Sequence, residues 1–279
     1  IKIFPFTDSF PKTRSSQCFG CLRLNFDFLV VFFSTECGRP SISARIVNGT
    51  MAPIERFPWM VKLRIKYRVW MGCCGVILTA KHVLTAAHCV KRNGTLEPSE
   101  IKISYGHSEH EKGQVLSVKA LYRHRHFNGT TYNHDIAMLV LSTSLTLGTT
   151  SKHICLPSGN HTLDNLKAIV VGWGSTREKV HYGTLELRYT SQVVWPSEKC
   201  SAKFKFFNQN TQICAYDQYS DACVGDSGGP LMIQNGDAFE LIGLVSNGIG
   251  CNRPDMPGGY TRITRYLKWI QKALTHSNS

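Results

Sequence analysis

Eleven cysteines, spread along a chain of 279 residues, constrain this sequence more than any other feature. They lie at Cys18, Cys21, Cys37, Cys73, Cys74, Cys89, Cys155, Cys200, Cys214, Cys223 and Cys251. They do not form the paired C-x-x-C motifs of a zinc ribbon, so disulfide bonds made in an oxidising compartment explain them better. Because their number is odd, at least one thiol is free or bonded to another chain.

The sequence also contains four N-x-S/T sequons, at Asn48, Asn93, Asn128 and Asn160. Together with the cysteines, the sequons predict a secreted, extracellular and glycosylated protein. The apolar run Phe28–Phe33 is too short to span a bilayer, so we expect no transmembrane segment.

Composition limits the classes of function that the chain can have. Hydrophobic residues make up 42% of it, which is enough for a sizeable core. The sequence has no glycine-rich phosphate loop and no nucleic-acid-binding module, so we expect no nucleic-acid partner. The net charge of +13 is compatible with binding to anionic glycans and equally with an ordinary basic secreted protein.

Hydrophobic patterning predicts an all-β chain after residue 45. Val61–Val69 alternates strictly between apolar residues and the basic residues Lys62, Arg64, Lys66 and Arg68, as a half-buried strand does. Further strands are predicted at Val76–Leu78, Ile101–Tyr105, Val115–Leu121, Ile136–Leu141, Ala168–Trp173, Thr184–Val194, Phe239–Val245 and Gly259–Ile263. A single helix is predicted over Tyr266–Leu274, with Thr264 as its N-cap. Residues 1–45 lack periodicity, and we interpret them as a pro-segment or N-terminal extension.

Three short segments carry residues suited to hydrolysis: Leu84–Cys89 (LTAAHC), Asn133–Met138 (NHDIAM) and Gly225–Pro230 (GDSGGP). They offer a histidine, an aspartate and a serine on separate loops. A serine hydroxyl is a weak nucleophile that needs a base, and imidazole suits that role because it changes charge near neutral pH. A buried carboxylate fixes the tautomer of the imidazole and stabilises its protonated form.

From Ile46 to about residue 275, these segments and their order resemble the chymotrypsin/trypsin family of serine proteases. The resemblance implies an all-β fold of two antiparallel six-stranded β-barrels with a C-terminal α-helix. It places the peptidase domain at residues 46–279 and the division between the barrels near residues 150–165. His88 would then be the general base and acid, Asp135 the orienting carboxylate and Ser227 the nucleophile.

The resemblance also assigns the residues around this triad. The backbone amides of Gly225 and Ser227 would form the oxyanion hole, and Ser246 would support the buried aspartate beside the substrate.

The primary substrate pocket is implied in the same way. Asp221 would lie at its base and bind the arginine or lysine that precedes the cleaved bond, while Gly248 and Gly258 would leave the pocket open. Ala222 stands where a hydroxyl residue could assist lysine, so arginine would be favoured. Asn247 replaces the family's usual tryptophan, which removes an aromatic surface beside the substrate backbone.

The segment around Arg45 and Ile46 resembles the family's activation site. Cleavage between these two residues would create an α-ammonium group on Ile46 that pairs with Asp226, as a buried charge requires. The chain is therefore expected to be made as a zymogen.

The family's disulfide pattern implies four pairs, Cys37–Cys155, Cys73–Cys89, Cys200–Cys214 and Cys223–Cys251. Ala168 and Ile233 occupy the positions of a further family bridge, and both are apolar, as expected of a buried site. Two pairings stay open for the remaining cysteines. Cys74 bonds to the N-terminal extension, or Cys18 bonds to Cys21 and leaves Cys74 free.

The expected function is that of a secreted serine endopeptidase that cleaves polypeptides after arginine or lysine, requires no cofactor or metal and is bound by protein protease inhibitors. Glu109 and Glu111 offer a less favoured calcium site. The alternative function is that of a non-catalytic serine protease homologue that acts as a binding or cofactor protein.

Overall fold

The computed structural model describes residues 36–42, 50–66, 69–90, 97–158, 162–180, 182–219 and 221–276. Its strands, in chain order from β1 to β13, are Thr50–Met51, Met60–Lys66, Trp70–Thr79, His82–Thr85, Ile101–Tyr105, Gln114–Arg123, Ala137–Leu141, Lys167–Gly172, Arg188–Val194, Gln212–Tyr216, Pro230–Asn235, Ala238–Asn247 and Gly258–Arg262. The α-helices are α1 (Ser197–Ser201) and α2 (Leu267–His276).

The first half of the described chain forms a closed antiparallel barrel of six strands. Its strand order is β2-β3-β4-β7-β6-β5, with β5 pairing back onto β2. Leu63 on β2 lies opposite Cys73 on β3 and Ile103 on β5, and all three are buried. Closure leaves no free sheet edge, so every strand of this barrel is paired on both sides.

The second half forms another six-stranded antiparallel ring, in the order β8-β9-β10-β13-β12-β11, closed by pairing of β11 with β8. The short strand β1 adds to β9. These two barrels and helix α2 confirm the predicted all-β architecture. The last strand of the first barrel ends at Leu141 and the first strand of the second begins at Lys167.

The two barrels pack against each other through alternate residues of the same strands. On β8, Ala168 and Val170 lie in the core of the second barrel, whereas Ile169 and Val171 join the core that extends to the first. Successive side chains of a strand point to opposite faces, so a strand that is buried on both faces reads as a continuous apolar run. Residues near the strand ends of the two barrels therefore lie close to one another at this interface.

The structure corrects the predicted extent of the first strand. β2 ends at Lys66, and Val69 is exposed beyond it. Arg64 and Lys66 are exposed as the alternation predicts, but Lys62 is buried. The face of β2 that carries Lys62 packs against the second barrel at that point instead of meeting water.

The C-terminal helix begins later than predicted. Thr264 lies inside a 3₁₀ turn, Ile263–Arg265, and α2 starts at Leu267. The predicted stripe is otherwise confirmed, because Ile270, Ala273 and Leu274 are buried in the core.

Four disulfide bonds join the described residues, and they are the pairs that the resemblance implies: Cys37–Cys155, Cys73–Cys89, Cys200–Cys214 and Cys223–Cys251. The first of them ties the segment 36–42 to the barrels. There the amide of Gly38 donates to His153 and its carbonyl accepts from Phe239. Ala168 and Ile233 lie in one buried apolar cluster.

Candidate active site

His88 and Asp135 meet at the boundary between the barrels. His88 lies in a 3₁₀ turn directly after β4, and Asp135 lies just before β7, which pairs with β4. The Nδ1 atom of His88 is 2.7 Å from Oδ2 of Asp135, and the backbone amide of His88 donates to Oδ1 at 2.8 Å. Because an ionised carboxylate only accepts hydrogen bonds, Nδ1 carries a proton and Nε2 is left free to act as a base.

The second barrel completes the surroundings of Asp135, whose side chain is 0% exposed. The hydroxyl of Ser246 donates to Oδ2 at 2.6 Å, and the hydroxyl of Thr261 donates to the backbone carbonyl of Asp135 at 2.7 Å. The buried carboxylate thus receives three hydrogen bonds, which offset its desolvation. The imidazole of His88, with 25% of its side chain exposed, lies where this environment meets solvent.

Ser227 lies in a tight turn immediately before β11. Gly225 and Gly228 flank it with φ angles of +102° and +79°, a left-handed conformation that favours glycine. A Cβ atom on Gly228 would lie 2.2 Å from the Thr85 hydroxyl oxygen, so this turn fits closely against the end of β4.

The amides of this turn fall into two groups. Those of Asp226, Gly228 and Gly229 donate to backbone carbonyls. In the part of the chain that the structure describes, the amides of Gly225 and Ser227 have no such acceptor. These two N–H groups are therefore available to hold a developing negative charge.

A cavity of about 370 Å³ joins His88 and Ser227 to the predicted substrate-binding residues. Asp221, Ser246, Gly248 and Gly258 all line it. Among the described atoms, no hydrogen bond joins the Ser227 hydroxyl to Nε2 of His88. Catalytic hydrogen bonds are often long without substrate and tighten when it binds.

Asp221 places a carboxylate in this cavity, held by three donors among the described residues. Nε2 of Gln192 and the amide of Ala222 donate to Oδ1 at 3.1 Å and 2.8 Å, and the amide of Asn252 donates to Oδ2 at 3.1 Å. Burial raises the pKa of Asp221 to about 6, against the opposing effect of these hydrogen bonds. A Cβ atom on Gly258 would lie 3.1 Å from Oδ1, so any larger residue there would cover the carboxylate.

Comparisons with known proteins agree with this arrangement. The family model described as Trypsin matches residues 46–270. The chain belongs to the trypsin family of serine proteases. Hypodermin-B of Hypoderma lineatum is 37% identical over 83% of this chain and 88% of its own length. The proclotting enzyme of Tachypleus tridentatus is 35% identical over 84% of this chain and 68% of its own.

Other relatives are much longer than the matched region. Tissue-type plasminogen activator of Sus scrofa is 33% identical over 81% of this chain but only 44% of its own length. The chain therefore spans less than half of that relative. Membership of this family supports the assignment of the chain as a serine endopeptidase, an enzyme class that acts on polypeptides.

In this trypsin-family chain, Asp226 is a buried carboxylate next to Ser227. Its Oδ1 accepts from the amide of Gly174 at 2.7 Å and its Oδ2 from the amide of Cys223 at 3.0 Å. Burial raises the pKa of Asp226, and the two hydrogen bonds and the charge of Lys62 act against that effect. Its predicted partners, Arg45 and Ile46, lie outside the described residues.

Lys62 is a residue of this region that sequence reasoning missed. Its ammonium group lies 3.5 Å from the carbonyl oxygen of Trp173 and 3.4 Å from that of Gly225. The second carbonyl belongs to the peptide that joins Gly225 to Asp226. A buried ammonium group among carbonyl oxygens beside a carboxylate is a local cation for Asp226.

Cys74 is a free, buried thiol in the described structure, and its Sγ lies 3.2 Å from the Gly225 carbonyl oxygen. Burial raises its pKa to about 11. Cys18 and Cys21, on which the two open disulfide pairings depend, lie outside the described residues. One group with metal-ligand spacing occurs among those described, Cys73, His88 and Cys89, but both of its sulfur atoms belong to one disulfide.

The remaining predicted features lie on the surface or outside the described residues. Asn128 is exposed, whereas Asn48, Asn93 and Asn160 fall outside the described ranges. Glu109 forms an ion pair with Lys112. No helix within the described ranges is both long enough and apolar enough to cross a membrane.

Proposed function

We propose that this chain is a secreted serine endopeptidase, made as a zymogen, that cleaves polypeptides after arginine or lysine. One observation carries the proposal: a single cavity is lined by His88, by Ser227 and by the buried carboxylate of Asp221. A cationic side chain on Asp221 would present the next peptide bond to the hydroxyl and the imidazole.

The proposed reaction proceeds through an acyl-enzyme. Nε2 of His88 accepts the hydroxyl proton as Oγ of Ser227 attacks the carbonyl carbon, and Asp135 stabilises the imidazolium that forms. The amides of Gly225 and Ser227 hold the oxyanion. The imidazolium then gives its proton to the leaving amine as the C–N bond breaks. Water, deprotonated by the imidazole, hydrolyses the ester and returns the hydroxyl of Ser227.

Specificity rests on the negative charge that Asp221 brings to the cavity. Asp221 is buried deeply enough for its pKa to rise, so a cation that reaches it is stabilised in a medium of low polarity. Ala222 offers no hydroxyl to a lysine ammonium, while a guanidinium can bond to both carboxylate oxygens. Arginine is therefore the preferred residue.

Activation is proposed to follow cleavage between Arg45 and Ile46. The new α-ammonium group would approach Asp226, which lines a cleft of about 460 Å³ together with Gly174 and Tyr189. The disulfide Cys37–Cys155 would keep the N-terminal segment, residues 1–45, attached after cleavage.

The proposed location and partners follow from surface chemistry. Disulfides and an exposed sequon at Asn128 favour secretion. Protein protease inhibitors would occupy the same cavity as substrates. Exposed Arg64 and Lys66 on β2 could bind anionic glycans, and such binding would weaken steeply as salt concentration rises.

An arginine p-nitroanilide assay tests the proposed activity. We expect the chain cut after Arg45 to hydrolyse it, and the uncut chain and the Ser227→Ala variant to be at least about 1,000-fold slower. Cut wild type that folds but is as inactive as Ser227→Ala would instead support the non-catalytic homologue.

A further inference from the structure

A buried glutamine lies behind the specificity pocket. Gln192 is on β9, 1% exposed, between Thr190 and Val194, which are buried on the same face of the strand. The alternation of β9 thus directs an amide side chain to a position that normally holds an apolar residue. Burial of an amide is unfavourable unless its polar atoms are hydrogen-bonded, so the bonds that Gln192 makes are informative.

Those bonds connect the core of the second barrel to the pocket carboxylate. The hydroxyl of Tyr260 donates to Oε1 of Gln192 at 2.6 Å, and Nε2 of Gln192 donates to Oδ1 of Asp221 at 3.1 Å. An ionised carboxylate can only accept, so the NH₂ group must face Asp221 and the carbonyl must face Tyr260. Tyr260 is itself fully buried, which fixes the far end of this chain of bonds.

Gln192 differs in kind from the other donors to Asp221. Those of Ala222 and Asn252 are backbone amides, which any residue at those positions supplies. Gln192 is the side chain among the three, so its identity can change how the carboxylate is held. A departure from local patterning that satisfies a site residue is typical of functional positions.

We propose that Gln192 is a positioning residue for substrate specificity: with Tyr260, it orients the Asp221 carboxylate and keeps it ionised for the cationic side chain of the substrate. The inference rests on the proposed function and identifies a determinant of the same pocket. Other ionisable groups near Asp221 are Asp226, whose charge disfavours ionisation, and Tyr260. His88, Glu178 and Lys179 line the same cavity.

The test uses Gln192→Met, which preserves volume and removes the donor. Benzamidine, an amidinium that stays charged between pH 5 and 9, serves as the probe, beside steady-state kinetics on the arginine substrate. Near neutral pH we expect benzamidine affinity to fall roughly tenfold and KM to rise similarly, with kcat nearly unchanged. The midpoint of the binding-versus-pH curve should move up by about one unit, because a carboxylate that loses a donor is harder to ionise.

Two further variants make the outcome decisive. Tyr260→Phe frees the amide carbonyl and should produce a smaller shift in the same direction, which does not add to that of Gln192→Met. Tyr260→Phe also serves if the methionine variant does not fold. Gln212→Leu removes a buried glutamine that donates to Thr131 instead, and it should leave the benzamidine midpoint in place.

The inference is overturned if Gln192→Met and Tyr260→Phe keep the wild-type midpoint, or if affinity falls equally at every pH, as a packing defect would cause. A wild-type chain that neither binds benzamidine nor cleaves the substrate would overturn the proposed function itself.

Discussion

Replacement of Lys62 by methionine should reduce the stability of the uncut chain more than that of the cut one. In the uncut chain, the ammonium group of Lys62 lies 3.4 Å from the carbonyl oxygen of Gly225, the residue that precedes Asp226. After cleavage, the α-ammonium of Ile46 would supply a second positive charge. Among the described residues, Lys62→Met would therefore leave Asp226 without a nearby cation in the uncut chain but not in the cut one.

The magnitude follows from the contacts of Lys62. Removal of one partner from a buried, directly bonded ion pair costs about 3–5 kcal/mol. Lys62 contacts carbonyl oxygens beside Asp226, and no direct ion pair between the two is among the described contacts. We therefore expect the uncut chain to lose about 1–2 kcal/mol of unfolding free energy, a fall of about 3–6 °C in Tm. The cut form should lose less, because the α-ammonium of Ile46 would then pair with Asp226.

The assay is thermal and urea unfolding of both forms, with Lys66→Met as the control. Lys66 lies exposed on the same strand, so this variant removes one positive charge but not the one near Asp226. Burial raises the pKa of Asp226, so its ionised form opposes folding increasingly as pH rises. The loss caused by Lys62→Met should accordingly shrink at acidic pH, where Asp226 is protonated. Equal losses in the cut and uncut forms would refute the reasoning.

Three other predictions concern separate parts of the molecule. Because the pKa of Asp221 is about 6, kcat/KM for an arginine substrate should fall below that pH more steeply than kcat/KM for an uncharged substrate; parallel profiles would contradict this. Gly228→Ala should destabilise the fold by about 2 kcal/mol or more, seen as a lower Tm, since its Cβ would collide with Thr85. The thiol of Cys74, with a pKa of about 11, should react with a thiol reagent at pH 8 only after denaturation, and rapid labelling of the native protein would show that it is accessible.

Local sequence patterning predicted much of the barrel architecture but missed several strands. β10 (Gln212–Tyr216) and β11 (Pro230–Asn235) went unpredicted because each mixes polar and apolar residues over a short span. β10 pairs with β13, which lies far along the chain, so no local signal marks that ladder. β11 forms a tight hairpin with β12 across Gly236-Asp237, a turn signal that the strand prediction did not use. Barrel closure depends on tertiary structure, and it was predicted from the family resemblance and not from the strand pattern.

Site residues that lie in short motifs could be predicted from the sequence. Site residues that are positioned by packing between and within the barrels could not. The motifs indicated His88, Asp135 and Ser227. Lys62 and Gln192 were missed because the alternation of a strand does not say which face meets a second barrel. Lys62 was expected to face water, yet it lies buried against carbonyls of the second barrel.

The most direct test of the whole account compares two peptides that differ only in arginine or citrulline before the cleaved bond. Citrulline has the shape of arginine without its charge, so the ratio of kcat/KM isolates the role of Asp221. We predict that the cut chain prefers arginine by at least about 100-fold and that Asp221→Asn abolishes this preference. Equal cleavage of both peptides, or a preference that survives in Asp221→Asn, would contradict the claim that a buried carboxylate selects the bond attacked by Ser227.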